Sequence, residues 1–233
     1  MFAEEEAAAL RAAAVGDALE DLVRRRVAGE PLEVLLGHAV LDGVRVALGP
    51  DVFVPRQRSL LLVDQARARP GDVVVDLCCG SGALGLVLAR RTRGIVLHAC
   101  DLDPTACHWA RRNLDGVGTV HEGDLLDALP PDVVPDLVLL NAPYVPTEQI
   151  AHLPPEARDH EPTLALDGGA DGVDVHRRAA SQAARRLRPG GVVLVETGRH
   201  QVPLTRAAFG PSWATEVVHD PDRGATAVRA TRE

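Results

Sequence analysis

Residues 73–88, VVVDLCCGSGALGLVL, constrain the fold more than any other stretch of the chain. Three β-branched residues lead to an acid at Asp76, the chain turns through Gly80-Ser81-Gly82, and an Ala/Leu/Gly pattern of helical period follows. That is a strand, a tight loop and a helix. Glycines at such a turn reach backbone angles closed to other residues and let a ligand approach the main chain. The first N–H groups of the following helix lack intrahelical partners. The unit therefore predicts a site for a small, partly charged cofactor at the carboxyl end of a strand.

The rest of the chain supplies the sheet. Strands are expected at 95–99, 119–121, 136–140 and 192–197, and helices at 104–113, with Pro104 in its first turn, and 173–187. Ser59 reads as the N-cap of a further helix that runs to Arg69. Such alternation predicts an α/β fold with a doubly wound, mostly parallel sheet covered on both faces. Helix 203–209, strands 215–219 and 226–231, and the turn at 220–224 add an antiparallel C-terminal hairpin at one edge.

Upstream, residues 4–28 read as one docking helix, with acids at its start and Arg24-Arg25-Arg26 near its end as the helix dipole favours. Gly29 and Pro31 stop it. Residues 38–54 show short alternating runs, which predict a hairpin around Asp42-Gly43 and an edge strand at 52–54. The expected division is an N-terminal helical extension over 1–37, the hairpin and edge strand over 38–58, and a cofactor-binding domain over 59–233. The stretch 145–171, rich in Pro, Gly and charge, is too long for a simple connection and is expected to carry function or cover a site.

Composition narrows the function classes. With 233 residues and 46% hydrophobic content the chain can bury one substantial core, and at 3% aromatic residues that core must be Val, Leu and Ala. A net charge of -8 disfavours nucleic acid as a partner, since a duplex-gripping protein needs a basic footprint. Cys78, Cys79, Cys100 and Cys107 lack the spacing of a disulfide framework or a thiolate metal site, and the nine His show no metal spacing, so no metal is expected. No run approaches the length of a membrane span, and the first residues are acidic where a secretory signal would be basic, so a cytoplasmic chain without a membrane partner is expected.

Three acids fall at strand ends: Asp76, Asp101 and Asp124. Each alone could cap a turn; three in register with a glycine loop predict a ligand site. An acid some twenty residues beyond such a loop suits a pair of ribose hydroxyls. The glycine spacing by itself would also permit a dinucleotide. The strand at 136–140, however, ends in Asn141-Ala142-Pro143-Tyr144, an amide, a fixed bend and an aromatic ring. Asn141 can both accept and donate, and so can pair with a planar amide-like group whose flat face packs on Tyr144. Such a clamp would turn a nitrogen toward an electrophile.

Taken together, GEPLEVLLG at 29–37, FVPR at 53–56, VVDLCCGSGALGLVLA at 74–89, Asp101, GDLLDAL at 123–129, NAPY at 141–144, HEPTLALDGGADGVD at 160–174 and LRPGGVVLVETGRHQ at 187–201 resemble the HemK/PrmC-type glutamine N5-methyltransferases. These are class I S-adenosylmethionine-dependent methyltransferases that modify the glutamine of the GGQ motif in peptide chain release factors. The resemblance implies a Rossmann-like fold with a seven-stranded sheet, S-adenosylmethionine as cofactor and S-adenosylhomocysteine as product.

By the same resemblance Asp76, Cys78, Cys79, Gly80, Ser81 and Gly82 would surround the methionine part. Asp101 and Leu102 would hold the ribose side and Asp124 with Leu125 the adenine, with Arg56 and Asn141 also on the cofactor. Asn141, Ala142, Pro143 and Tyr144 would hold the target amide; Asn141, Pro143 and Tyr144 would be catalytic. Read from their own positions, Glu161 in His160-Glu161-Pro162 is expected either to order a substrate lid or to cap a turn, and Glu196 at a strand end to support the loop bearing Asn141, with a surface role as the alternative.

The chain departs from the family pattern at Ala142, where a second proline is usual, at Gln57-Arg58-Ser59-Leu60, where proline and acids are usual, and in its short N-terminal helical part. It departs also at Cys78, where glycine is usual, so ordinary backbone angles are expected there. The alternatives are a small-molecule or peptide N-methyltransferase on the same scaffold, a nucleic-acid exocyclic-amine methyltransferase, and a non-catalytic subunit that binds S-adenosylmethionine.

Overall fold

The computed structural model describes residues 3–233. Two antiparallel helices open the chain, α1 (Ala3–Ala13) and α2 (Asp17–Val27), followed by the short α3 (Leu32–Leu36). The single helix expected over 4–28 is thus broken. Gly16 takes a φ of +60°, which L side chains resist, and reverses the chain so that Arg26 meets Glu6 at 2.8 Å. The hairpin β1 (His38–Leu41) and β2 (Val44–Ala47) turns at Asp42-Gly43 as expected, with positive φ at both residues, the type I′ pattern whose twist suits paired strands. No strand forms at 52–54. Val52 and Val54 are buried in irregular chain that joins no strand: Val52 and Phe53 face the cavity, and the Val54 backbone is bonded to the Glu161 carboxylate.

A three-residue 3₁₀ turn, Gln57–Ser59, leads into α4 (Leu60–Gln65). Ser59 makes no capping bond, and the helix ends at Gln65 short of the expected Arg69. The main sheet is then laid down by β3 (Val73–Leu77), α5 (Ala83–Arg91), β4 (Val96–Asp101), α6 (Pro104–Asn113), β5 (Gly118–Glu122) and β6 (Leu137–Leu140). After the long crossover, which carries α7 (Pro155–His160), come α8 (Asp174–Arg186), β7 (Val192–Glu196), α9 (Val202–Phe209), β8 (Trp213–Asp220) and β9 (Ala225–Arg232).

The seven strands run in the order β5-β4-β3-β6-β7-β9-β8, all in one direction except β9, which is antiparallel to both of its neighbours β7 and β8. The expected sheet and its antiparallel hairpin edge are both present. Strand order reverses between β3 and β6, which pair Asp76 with Leu139 and Leu77 with Leu140. Ligands in such sheets bind outside the carboxyl ends at that reversal. Central strands β6, LVLL, and β7, VVLVE, are buried along their whole length, as strands covered on both faces must be.

Alternate residues divide between two cores. Val74, Leu97, Leu139 and Leu194 pack with α4 and α5 on one face. Val75, Leu77, Val138, Leu140 and Val193 pack with Ala179, Ala183 and Phe209 of α8 and α9 on the other. At about 25 cal/mol per Å² of apolar surface, each buried Val or Leu contributes roughly 1.5–3 kcal/mol, enough to hold the strand ends in fixed relation.

Candidate active site

One cavity of about 880 Å³ opens over the carboxyl ends of β3, β4 and β6, at the upper end of the size range for small-molecule sites. Its walls divide the predicted residues into those it brings together and those it does not. Cys78, Gly80, Asp101, Leu102, Asp124, Leu125, Arg56, Glu161 and all of Asn141, Ala142, Pro143 and Tyr144 line it. Asp76, Cys79 and Ser81 instead line a small recess behind the loop, and Gly82 lines neither, serving as the N-cap residue of α5 at φ +76°.

The cofactor side is built from backbone. Cys78 does not have ordinary angles: its φ is +53°, the left-handed region in which glycine costs nothing and cysteine is strained. The turn needs that conformation whichever residue occupies it, so the expectation from the side chain fails. Gly80, at φ +54°, has only Phe53 at 4.0 Å in the space a Cβ would fill, and donates its N–H to Asp101 Oδ2 at 2.8 Å. Asp101 Oδ1 accepts from the Asp103 N–H at 3.0 Å.

Burial pushes the Asp101 carboxyl up from its ordinary range, against the pull of those two N–H groups. Burial likewise pushes Asp76 up to about 7, opposed by the N–H of Gly85 on its Oδ2 and reinforced by the negative charge of Asp101. Burial raises the thiols of Cys78 and Cys79 well above the usual range, reinforced by the nearby charges of Asp101 and Asp76. At the far end Leu125 sits at φ +52°, and Asp124 is held by Arg178 and, at 3.3 Å, by Gln182 of α8.

Side chains from distant parts of the chain build the other side. Asn141 Nδ2 donates to Ser59 Oγ at 3.3 Å, which leaves Asn141 Oδ1 without a partner among the described residues. Ser59 itself has helical angles, φ -67° and ψ -14°, at the end of the 3₁₀ turn, and so does not stand in the extended geometry of a cap. The preceding residue, Arg58, donates from Nη2 to the Tyr144 hydroxyl at 2.9 Å and from Nε to Glu196 Oε1 at 3.0 Å, while the Tyr144 hydroxyl donates to Glu196 Oε1 at 3.2 Å. Burial, and next the charge of Glu196, push the tyrosine up to about 12 against the pull of Arg58, so it stays a neutral phenol at pH 7.

From behind, Gln201 Nε2 donates to the carbonyls of Tyr144 at 2.8 Å and Asp171 at 3.1 Å. A Cβ at Gly172 would lie 2.2 Å from Gln201 Nε2 and 2.3 Å from the Tyr144 carbonyl oxygen, so this close approach requires glycine. Residues 153–167 cover the cavity, and the cover is tied down at both ends of α7, by Arg26 to Glu156 and by Arg56 to the buried Glu161. Arg56, expected beside the cofactor, spends its guanidinium on Glu161 and on the Phe53 ring, 5.2 Å away.

Arg58, Gln201, Arg178 and Gln182 were missed from the sequence. Arg58 and Gln201 stand within or beside motif segments, but nothing in their spacing tells a pocket residue from a solvated one. Among the described residues no group of three His, Cys, Asp or Glu converges as metal ligands do, and no helix is long and apolar enough to cross a membrane.

The sheet order and the strand-end cavity are those of a class I methyltransferase. A family model described as methyltransferase small domain matches residues 54–153. The release factor glutamine methyltransferase of Streptomyces coelicolor is 44% identical over 194 residues, which cover 78% of this chain and 69% of that protein. The 4-amino-L-phenylalanine/4-methylamino-L-phenylalanine methyltransferase of Streptomyces pristinaespiralis is 38% identical over 198 residues, covering 80% and 68%. A methyltransferase from Pyrococcus furiosus superposes with a TM-score of 0.63 at 14% identity, over 82% of this chain and 89% of that one, a likeness of fold alone.

The chain belongs to the family of the release factor glutamine methyltransferases. The methyl donor of that family is S-adenosylmethionine, and the site fits it. Gly80 leaves a cradle open at the loop, Asp101 is pinned at the end of β4 where ribose hydroxyls would be read, and Leu102 and Leu125 offer apolar walls for a base.

Proposed function

We propose that this chain transfers a methyl group from S-adenosylmethionine to the side-chain amide nitrogen of a protein glutamine, that of the GGQ motif in a peptide chain release factor, in the cytoplasm. The observation that carries this reading is the triple hold on Asn141–Tyr144, by Ser59, by Arg58 with Glu196, and by Gln201, at the mouth of β6 inside the same cavity as the cofactor side.

The bound cofactor supplies a methyl group activated by a sulfonium. An amide nitrogen is a poor nucleophile because its lone pair is delocalised into the carbonyl. What the protein supplies is alignment, which can contribute roughly 7–11 kcal/mol to lowering a barrier. Ser59 fixes the Asn141 amide so that Oδ1 accepts an N–H of the target, which orients the nitrogen and stabilises the positive charge it gains as the methyl carbon leaves sulfur. S-adenosylhomocysteine is the leaving group, and the N–H proton, now acidic, passes to solvent. The neutral Tyr144 ring offers its face to the planar amide. The cover, tied down through Glu161 and Glu156, walls one side of the cavity. In this reading residues 1–37 form a helical extension, 38–58 a connecting segment and 59–233 the catalytic domain.

Mass spectrometry of a release factor incubated with S-adenosylmethionine and the protein tests the reading. A gain of one methyl on the GGQ glutamine is expected, and none on a release factor with that glutamine replaced by glutamate. Methylation of the replaced factor, or of neither, removes it.

A second reading, a small-molecule N-methyltransferase, is favoured by the 38% identity to the amino-phenylalanine enzyme and by Ala142, which relaxes the turn where the family has proline. Turnover of a free aromatic amine with no turnover of the release factor would establish it.

A further inference from the structure

The acceptor side holds polar atoms that the amide clamp leaves unused. Arg58 lines the cavity, and its guanidinium is fixed at Nε by Glu196 and at Nη2 by Tyr144, while Nη1 has no partner among the described residues. Glu196 also lines the cavity and is 3% exposed. Its Oε1 takes both of those neighbours, and its Oε2 is buried without any hydrogen bond. Buried polar atoms nearly always have a partner, and a lone carboxylate oxygen is a costly one to leave unpaired. A donor held rigid beside an acceptor, both without protein partners, is the complement of a ligand that carries one oxygen and one N–H on neighbouring atoms.

We propose that Arg58 and Glu196 form a subsite for the α-carbon substituents of the methyl-accepting residue, Arg58 Nη1 donating to its carbonyl or carboxylate oxygen and Glu196 Oε2 accepting from its N–H. The subsite rests on the amide-transfer reading above, with the side chain in the Asn141 clamp and the main chain in this pair. Its position follows from the chain: Arg58 and Ser59 are consecutive, one holding Tyr144 and the other Asn141, so the subsite and the clamp share one turn. The required chemistry has two sources. In a protein loop the partners are a peptide carbonyl and a peptide N–H. In a free amino acid they are the α-carboxylate and α-ammonium, which the charges of Arg58 and Glu196 would also suit. The pair therefore acts on which acceptor is taken, whereas Asn141 acts on how it reacts.

The test compares wild type, Arg58→Gln and Glu196→Gln with a GGQ-bearing release factor and with free L-glutamine as acceptors. Methyl transfer is read as KM and kcat, and acceptor binding is read separately by calorimetry with S-adenosylhomocysteine present. Arg58→Gln is expected to raise KM and Kd about ten- to hundredfold for whichever acceptor wild type takes, a larger change than any in kcat. The affinity for S-adenosylhomocysteine should not change. Glu196→Gln keeps an oxygen for Arg58 and Tyr144 but loses one acceptor oxygen, and should raise acceptor KM and Kd in the same direction.

A loss confined to kcat in Arg58→Gln, or an acceptor KM unchanged in Glu196→Gln, means that the pair acts only by holding the tyrosine and overturns the subsite. Binding of neither acceptor overturns it as well. An acceptor that binds in an Arg58-dependent way yet gains no methyl from S-adenosylmethionine removes the amide-transfer reading and leaves the subsite standing. The release factor and glutamine arms decide between a peptide and a free amino acid as its natural ligand.

Discussion

The two halves of the cavity are made in different ways. On the cofactor side, Cys78 and Gly80, Asp101 with Leu102, and Asp124 with Leu125 each follow directly on a strand or its end, and the shape comes from main-chain angles: positive φ at Cys78, Gly80, Gly82 and Leu125, and N–H groups of Gly80 and Asp103 on one carboxylate. On the acceptor side the shape comes from side chains that reach across the fold. Arg58 meets Glu196 over 138 residues, Asn141 meets Ser59 over 82 and Gln201 meets Tyr144 over 57. A site cut from backbone tolerates side-chain change, as Cys78 in a glycine conformation shows. A site assembled from long-range side-chain bonds loses its geometry when one member is truncated, because the partners left behind are buried and unpaired.

The largest expected effect sets the two halves apart most clearly. Asn141→Ala should lower kcat about 10²–10³-fold, the loss typical of removing one aligned polar group from a reacting centre. Calorimetric affinity for S-adenosylmethionine should fall far less. A comparable collapse of cofactor affinity would mean that Asn141 belongs to the other half.

A second effect probes the loop behind the cofactor side through pH. Asp76 titrates near 7 in the folded protein and near 3.9 when unfolded, so the native state holds its proton more tightly. The stability this lends is full below about pH 4 and is lost as pH rises through about 7, with a slope of at most about 1.4 kcal/mol per unit. Urea unfolding of wild type and Asp76→Asn at pH 5 and pH 8 should therefore show the variant gaining relative stability at the higher pH. A gap independent of pH would show that Asp76 ionises normally.

Gln201→Ala comes next. It strands the carbonyls of Tyr144 and Asp171 and should cost about 1–3 kcal/mol in unfolding free energy, with a fall in kcat larger than any change in cofactor affinity. An unaltered kcat would show that the turn holds its shape without the strut. The smallest effect is expected at Cys78→Gly. Relief of the left-handed strain and the added freedom of the unfolded chain nearly offset each other, so stability should move by less than about 1 kcal/mol. Cofactor affinity should stay within the error of calorimetry. A large loss in either quantity would show that the thiol itself, not the backbone, shapes this wall.

Most of the sheet was legible in the chain because it follows local period and punctuation. Helix α6 was read to the residue from Pro104 and Asn113, and the β1–β2 hairpin from Asp42-Gly43, since these depend on angles their own residues prefer. The misreadings occur where distant contacts outweigh local preference. Ser59 is a good cap by type, yet a preceding 3₁₀ turn gives it helical angles and its oxygen faces Asn141, and the apolar run at 52–54 is buried beside a cavity rather than paired in a sheet. At Gly16 the helical period ran on unbroken while the backbone did not.

By itself, then, the sequence determined the βα unit, the parallel sheet and the acids at its strand ends, because each depends on neighbours a few positions away. Only the tertiary structure decided that Arg58, Glu196 and Tyr144 stand together, that Arg56 serves the cover, and that Gln201 braces the clamp. These pairings join segments dozens of residues apart, and their free energy exists only once the core has fixed the strand ends in space.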